Sequence, residues 1–398
     1  MVFEVPTAIT VLHTADWQIG KPYGRVADPD KRSRLRQVRL EAIDRIAAAA
    51  AACDAVAVVV AGDLFDAPTP SPSDVSAVCA AIGRIGCPTL VIPGNHDHGG
   101  PGSIWQSPLL ASARQRRAPA LTVLDQRQPY ELEQLVVLPC GLQQRHESSD
   151  PCGWLNQLDW SRLPAGKPRL VLAHGGVSGF AGSDLDDEHP TGPANLINLK
   201  APWLEQVDYV ALGDWHGCKQ VHPKAWYSGT PEADRFPRSV EYRSGQVLAV
   251  ALQRGAPAQV TPHLCGAVGW HPLQVALNGD ADLTSLEQQV ETLLAGRVGA
   301  DLLLLELGGQ LSIDGQQRLD GLLQRWEAQL LRLKRRGQVG LRADAAELQA
   351  LADQTDAPLV AAVVHNLQQQ LANSHGDSTG TLAQALLELH RSVADACA

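Results

Sequence analysis

Five short segments of this 398-residue sequence carry side chains that bind hard metal ions. Each segment follows an apolar run and supplies a carboxylate, an amide or an imidazole. These oxygen and nitrogen donors suit divalent ions, whereas thiolates would indicate structural zinc. Two divalent ions about 3.5 to 4 Å apart can activate a water and hold both oxygens of a phosphoryl displacement. The segments are Asp16-Trp17-Gln18, Gly62-Asp63-Leu64-Phe65-Asp66, Gly94-Asn95-His96-Asp97, His174-Gly175 and Gly213-Asp214-Trp215-His216.

The order and form of these segments resemble the calcineurin-like metallophosphoesterases, whose pattern is DxH, GDxxD, GNH(D/E), H and GHxH. The stretches HTADWQIG, GDLFD followed by PSP, and YSGTPE are similar to those of SbcD-type nucleases of DNA double-strand-break repair. Five motifs in one order are far more specific than any single one. The resemblance covers about residues 7 to 255, and it implies an α/β fold: a sandwich of mixed β-sheets flanked by helices, with a smaller α/β capping domain and a helical C-terminus.

The resemblance also implies a role for each matching side chain. Asp63 would bridge two divalent ions, manganese in preference to magnesium. His96 would stabilise the transition state and protonate the leaving oxygen, with Asp66 orienting its imidazole. The implied ligands are Asp16, Gln18, Asp63 and His216 for the first ion, and Asp63, Asn95, His174 and Asp214 for the second.

Two of these ligands depart from the family pattern. Gln18 stands where DxH has its histidine, and Asp214 stands where GHxH has its first histidine. An amide oxygen is a weaker, neutral ligand, so the first ion should be held less tightly. Asp214 adds a carboxylate to the second position and favours hard ions. We therefore predict a retuned pair of sites that keeps its metals.

The implied activity is hydrolysis of DNA phosphodiester bonds, as an exonuclease or endonuclease of double-strand-break repair, by in-line attack of a metal-bound hydroxide. A cyclic nucleotide or nucleotide phosphoesterase is the first alternative, because the acidic net charge suits a small substrate. A non-catalytic scaffold that binds DNA or a partner is the second, because Gln18 and Asp214 alter the ligand set. A phosphoprotein phosphatase is disfavoured, since Ala67-Pro68 follows Asp66 where that branch has an arginine.

The partners implied by the resemblance are DNA, an SbcC-type, SMC-like ATPase and a second copy of the chain. Dimerisation would use two helices, Ser71 to Ile85 and Trp105 to Arg117. Their apolar residues either form the dimer seam or face the sheet of the same chain. These residues are Val75, Val78, Ile82, Trp105, Leu109 and Leu110.

The composition of the chain is that of a globular enzyme, with 44% hydrophobic and 19% charged residues. Its net charge of −10 gives no global positive field, so any contact with nucleic acid must be local or shared with a partner. The eight cysteines form no CxxC pair, and no apolar run reaches the roughly 18 residues of a membrane helix. We expect reduced thiols in a cytoplasmic protein that does not enter membranes.

The elements that must position the five segments alternate along the chain in the order strand, loop and helix. Helices are predicted over Arg32 to Ala52 and from Ser71, which has a capping hydroxyl followed by Pro72, to about Ile85. Buried strands should precede the metal-binding residues, because ligands of open α/β sheets gather beyond the carboxyl ends of the strands. The predicted strands are Ile9 to Leu12, Ala55 to Val60, Thr89 to Ile92, Leu135 to Leu138, Arg169 to Ala173 and Val207 to Leu212.

We predict three domains: a nuclease domain over residues 1–255, a capping domain over 256–340 and a helical C-terminal region over 341–398. The capping domain should contain strands at Val268 to Leu277 and Leu302 to Leu307, and helices at Leu283 to Leu294 and Gln316 to Leu333. Two terminal helices, Pro358 to Leu371 and Thr381 to Ala396, carry apolar stripes. These stripes pack either on the capping domain or on the ATPase partner.

Basic residues cluster at three places: Lys31 to Arg39, Arg114 to Arg117 and Arg332 to Arg336. Each cluster is open to two interpretations, contact with phosphates or a solvated helix face. The third cluster fits a helix C-terminus best.

Overall fold

The computed structural model describes residues 8–178, 194–237, 239, 241–341, 349, 352–353, 357–373, 385–386, 388–389 and 392. The chain divides into two compact units, Met1–Gly269 and Trp270–Ala398. The acidic run at 183–188, which the sequence suggests is a solvated loop, lies outside the described residues. So does most of the predicted helix at 381–396.

The first unit contains two six-stranded mixed sheets, which confirms the predicted fold class, and a small two-stranded sheet of β8 and β9. The first has the order β14-β13-β1-β2-β3-β4, and the second has the order β11-β12-β10-β7-β6-β5. Strands β1 to β4 run parallel to one another, as do β6, β7, β10 and β12. The strands are β1 Ile9–Thr14, β2 Ala57–Val60, β3 Thr89–Val91, β4 Leu121–Val123, β5 Tyr130–Glu131, β6 Val136–Cys140, β7 Arg169–His174, β8 Gly176–Val177, β9 Leu196–Ile197, β10 Tyr209–Gly213, β11 Lys219–His222, β12 Ala225–Tyr227, β13 Gln246–Leu252 and β14 Gln259–Leu264.

Each α-helix that the structure describes in the first unit begins at a proline that follows a capping side chain. The helices are α1 Pro29–Ala52, α2 Pro72–Ile82 and α3 Pro108–Arg117. Asp28, Ser71 and Ser107 precede them, and each accepts a hydrogen bond from a backbone N–H of the first turn. Proline suits this position because the first N–H groups of a helix have no partner within it. Local sequence thus determines where these helices begin.

The core of the first unit has layers on both sides of the first sheet. Alternate residues of a strand point to opposite faces, so Val58 and Val60 face the helices while Val59 faces the second sheet. Val59 packs there with residues of β6, β7 and β10. This layer between the sheets places the carboxyl ends of both sets of parallel strands near each other.

The predicted dimer helices are largely buried within their own chain. Val75, Val78, Ile82 and Leu110 belong to the core between the first sheet and the helices, while Leu109 is 40% exposed. This observation supports the interpretation in which these helices face the sheet. A homodimer stays a prediction.

In its described residues, the second unit has a four-stranded sheet with two helices over an apolar core, followed by a third helix. The predicted helix from Gln316 to Leu333 is wrong at its end, because the helix stops at Gln329 and Arg332–Gly337 forms a strand. That strand pairs in parallel with Leu302–Leu307, so the third basic cluster is not a helix C-terminus. The elements are β15 Gly269–Leu277, α4 Asp282–Leu294, β16 Asp301–Leu311, α5 Ile313–Gln329, β17 Arg332–Gly337, β18 Gly340–Leu341 and α6 Pro358–Asn373.

The first compact unit ends at Gly269, whereas the sequence analysis ended the nuclease domain at residue 255. Strand β14 pairs with β13 in the first sheet, and the first unit extends to Gly269. The assignment of nuclease, capping and docking roles to the three regions stays a prediction. Among the described residues, no helix has the length and apolar character needed to cross a membrane.

Candidate metal centre

The five segments with predicted metal ligands lie at the carboxyl ends of parallel strands from both sheets. Asp16, Asp63 and Asn95 follow β1, β2 and β3 of the first sheet. His174 ends β7, and Asp214 follows β10 of the second sheet. The two sheets therefore contribute to one group of side chains.

The loop after β1 runs beside the loop after β2 and is fixed to it by backbone hydrogen bonds. The Asp16 N–H donates to Gly62 O at 3.1 Å, and the Gln18 N–H donates to Asp63 O at 2.9 Å. Asp16, Gln18, Asp63 and Asp214 all have positive φ angles, between 43° and 102°. Non-glycine residues seldom adopt this conformation, and it clusters at functional sites. The backbone is thus held in a costly arrangement that turns these side chains inward.

Three buried side chains form the centre of the group. Asp16, Asp63 and His174 present ligand atoms that all lie within 4.8 Å of one another. His174 Nε2 is 3.6 Å from Asp63 Oδ1, and 3.8 Å from Asp214 Oδ1. The same nitrogen is 3.0 Å from Asn95 Oδ1. All four ligands predicted for the second ion are therefore brought together.

Charge at this centre is unbalanced in favour of anions. Burial raises the pKa of Asp16, and the carboxylates of Asp63 and Asp214 raise it further against the opposing effect of His174. Burial raises the pKa of Asp214 as well. Burial alone would lower the pKa of His174, but the surrounding carboxylates raise it to about 9. The buried carboxylates thus favour added positive charge, and this donor set fits a divalent cation.

Close approach of Gly94 to Asp63 leaves no room for a side chain. A Cβ at position 94 would lie 2.1 Å from Asp63 Oδ1 and 2.4 Å from the Asp63 backbone nitrogen. Gly62 is equally restricted, since its Cβ would lie 2.2 Å from His174 Nδ1. The glycines of the second and third motifs therefore let the metal-binding side chains approach one another.

Gly94→Ala should displace the Asp63 carboxylate, weaken manganese binding at least roughly tenfold and destabilise the fold by about 1–3 kcal/mol through overpacking. Isothermal titration calorimetry and thermal melting would measure both effects. Gly86→Ala is the matched control, because a Cβ at position 86 meets nothing within 4 Å. Native manganese affinity in Gly94→Ala would show that the Asp63 carboxylate is not held against Gly94.

His96 lies beside the centre, and the group that contacts its Nδ1 is a backbone carbonyl. Nδ1 is 2.8 Å from Asp66 O, so the N–H form of this nitrogen donates to that carbonyl. His96 Nε2 points toward the metal-binding side, 4.0 Å from Asp63 Oδ2. The Asp66 carboxylate, predicted to orient the ring, instead lies 3.6 Å from Lys21 Nζ. Asp66 thus orients His96 through its main chain.

Gln18 and His216 occupy the far side of the group and face each other. Gln18 Nε2 is 3.3 Å from His216 Nε2, and Gln18 Oε1 accepts from Lys21 Nζ at 2.9 Å. His216 Nδ1 is 3.0 Å from Asp234 Oδ2. Two of the side chains predicted as ligands of the first ion therefore lie close together, with their polar atoms turned to each other and to Lys21 and Asp234.

Three polar residues beside the centre were given no role by the sequence analysis. Asp97 is buried and accepts from Phe65 N–H at 2.9 Å and from Gly94 N–H at 2.8 Å, which joins the loops after β2 and β3. Its position in the GNHD motif could have identified Asp97 from the sequence. Lys21 and Asp234 stand beside HTADWQIG and YSGTPE, but no spacing rule connects them.

Three arginines of the first basic cluster stabilise the fold through hydrogen bonds within the protein. Arg39 is buried, and its guanidinium donates to Trp17 O, Thr230 Oγ1 and Glu232 O. Arg32 and Arg36 donate to carbonyls of the loop that precedes α1. The second cluster, by contrast, exposes Arg116 and Arg117.

The family profile of the calcineurin-like phosphoesterases matches residues 9–242. The curated DNA double-strand break repair protein Mre11 of Haloferax volcanii is 30% identical over 212 residues. This match covers 52% of the present chain and 41% of that protein. The chain therefore spans less than half the length of this relative.

Proposed function

This chain belongs to the calcineurin-like phosphoesterases, and from that premise we propose that it hydrolyses phosphodiester bonds of DNA with a divalent metal ion, in double-strand-break repair. The observation that carries the proposal is the buried group of Asp16, Asp63 and His174, with His96 beside it. Carboxylate, imidazole and amide donors support manganese, with magnesium as the alternative.

The proposed ligands of one ion are Asp63, Asn95, His174 and Asp214. A divalent ion held by them would polarise a phosphodiester and activate a water. Asn95 and Asp214 contribute oxygen atoms, and His174 contributes Nε2, because its Nδ1–H donates to Ala61 O at 2.8 Å. That hydrogen bond selects the tautomer and orients the ring toward the centre.

His96 is the proposed acid at the leaving oxygen. Its Nδ1–H is directed to Asp66 O, which leaves Nε2 as the atom oriented toward the centre. An imidazole in this position can donate a hydrogen bond to a phosphate oxygen and then a proton to the leaving group. The main chain at residue 96 also donates to Asp63 Oδ1 at 2.9 Å, so one loop positions both groups.

Support for DNA as the substrate comes from the similarity to the Mre11 protein and from the motifs shared with SbcD-type nucleases. A small-molecule phosphoesterase of the same family is the alternative, and the net charge of −10 is the observation that favours it. A non-catalytic scaffold would bind metal or DNA without turnover.

An assay of the purified protein with manganese on three substrates side by side separates these functions. The substrates are linear duplex DNA, a cyclic nucleotide and a phosphomonoester. We expect the DNA to be cleaved fastest. Preference for the cyclic nucleotide would support the small-molecule enzyme, and metal binding without turnover on any diester would support the scaffold.

The proposed partner beside DNA is an SbcC-type ATPase. Helix α6 supports this proposal, because its Leu359 and Val363 side chains are 78% and 39% exposed, whereas Val364 is buried with Ala352 and Leu386. An apolar stripe on a helix is a common way to bind a partner helix. Part of the predicted stripe is thus available for a partner.

Leu359→Asp should weaken binding to the coiled coil of such an ATPase at least roughly tenfold while changing the stability of the chain by less than about 0.5 kcal/mol. Biolayer interferometry and thermal melting would check the two expectations. Gln369→Asp is the control, because Gln369 is exposed on the same helix. Native affinity in Leu359→Asp would place the docking surface elsewhere.

A further inference from the structure

Four side chains at one edge of the metal centre form a closed ring of polar contacts. Lys21 Nζ donates to Gln18 Oε1 at 2.9 Å, and Gln18 Nε2 lies 3.3 Å from His216 Nε2. His216 Nδ1 lies 3.0 Å from Asp234 Oδ2, and that oxygen is 3.3 Å from Lys21 Nζ. The ring contains two of the side chains that the family pattern would assign to the first metal ion.

The orientation of the Gln18 amide in this ring follows from Lys21. An ammonium group can only donate, so the oxygen of the Gln18 amide must face it and the amide NH2 must face His216. His216 Nε2 is then the acceptor, and Nδ1 lies 3.0 Å from Asp234 Oδ2 and 2.9 Å from Arg235 Nη2. The Arg235 guanidinium also pairs with Asp234, with Nε 3.1 Å from Oδ1 and Nη2 3.2 Å from Oδ2. The opposite amide orientation would place two donors 2.9 Å apart.

The loop that carries Lys21 is held in place by arginines of α1. Arg36 donates through Nε to Lys21 O at 3.3 Å and through Nη2 to Pro22 O at 3.1 Å. Arg32 Nη1 donates to Val26 O at 2.8 Å, and Arg39 Nε donates to Tyr23 Oη at 2.8 Å. These hydrogen bonds fix the loop and therefore the position of the Lys21 ammonium.

Positive charge at this position is already provided by the chain. Lys21 Nζ lies 3.3 Å from Asp234 Oδ2 and 3.6 Å from Asp66 Oδ1. The Asp234 side chain is only 1% exposed, so its charge needs partners within the protein. A divalent ion bound by Gln18 Oε1 and His216 Nε2 would have to replace the ammonium at Gln18 and break the amide contact to His216. These residues do not fit a second ion.

We propose that Lys21 takes the place of the first metal ion, so that the chain binds a single divalent ion beside a lysine ammonium. This inference rests on the proposed function and specifies its cofactor content. The one ion is held within the group of Asp16, Asp63, Asn95, His174 and Asp214. Gln18 and His216 hold the lysine in position instead of serving as metal ligands.

The first test counts ions in the native protein. Metal-free protein is titrated with manganese by calorimetry, and the loaded protein is examined by electron paramagnetic resonance. We expect one ion per chain and the six-line spectrum of isolated manganese. Two ions with an exchange-coupled spectrum would overturn the inference and leave the phosphodiesterase proposal standing. No bound ion would overturn both.

The second test restores the metal ligand that the family pattern has at position 18. The double variant Lys21→Met, Gln18→His removes the ammonium and supplies an imidazole, and histidine tolerates the φ of 43° at position 18 better than most residues. We expect it to bind two ions, while Lys200→Met, at an exposed lysine, still binds one. Thermal melting verifies folding. A folded double variant that binds one ion would show that Lys21 is not what excludes the second.

Discussion

Asp63→Asn is expected to abolish manganese binding and to lower diester turnover by more than about 100-fold, while raising the melting temperature of the metal-free protein. The amide removes one negative charge from beside Asp16 and His174, so the ion is held more weakly and the buried carboxylates repel each other less. Asparagine adopts positive φ almost as readily as aspartate, so the backbone at φ 54° is kept. Its Oδ1 can still accept from the His96 N–H.

The variant is expected to be more stable without metal and yet to bind manganese more weakly. A misfolded variant would instead lose both stability and metal binding. Calorimetry with manganese and melting curves with and without the metal would measure both. Asp208→Asn is the matched control, because Asp208 is also buried but its carboxylate binds Arg254 and the Arg169 N–H. We expect this control to lower stability and keep metal affinity. Native manganese binding in Asp63→Asn would remove Asp63 from the ligand set.

His96→Ala is expected to lower turnover by roughly 10²- to 10³-fold while leaving manganese affinity within about threefold of native. The reason is that residue 96 contacts Asp63 Oδ1 through its backbone N–H, which alanine retains, whereas the imidazole is the proposed acid. Steady-state kinetics on a diester and a manganese titration would give the two quantities.

The control for this change is His263→Ala, at a histidine of β14 in the first sheet. It should leave turnover and metal binding unchanged. Added imidazole should restore part of the turnover of His96→Ala if the missing group is a proton donor. Two results would contradict the proposed role: turnover near the native value, or loss of the metal together with activity.

Much of the fold was predictable because local sequence and burial agree. The cap at Ser71, with Pro72 at the first helical position, set the start of α2, and the apolar run before Asp63 set β2. The prediction failed at Arg332–Gly337, where a charged stretch following a helix pattern forms a strand. Its pairing with Leu302–Leu307 is a long-range contact that outweighs local preference.

The candidate site was predictable where each ligand follows its own strand. The order of motifs named Asp16, Asp63 and His174, and the structure brings them within 4.8 Å. The ring with Lys21 and Asp234 was not predictable, since it depends on how two loops approach each other across some two hundred residues of sequence. In the sequence, the one indication that this edge of the centre departs from the family pattern was Gln18 in place of a histidine.

The order of strands in the first sheet has a consequence for biosynthesis. Strand β1 lies between β2 and β13, and the ligands come from residues 16 to 214, so a ribosome has made the acidic loops long before His174 and Asp214 exist. The emerging chain therefore cannot complete the candidate metal centre early, and its first sheet is complete only when β14, residues 259–264, has been made. Because metal binding requires the assembled fold, we expect a cation to be bound only late in the maturation of the chain.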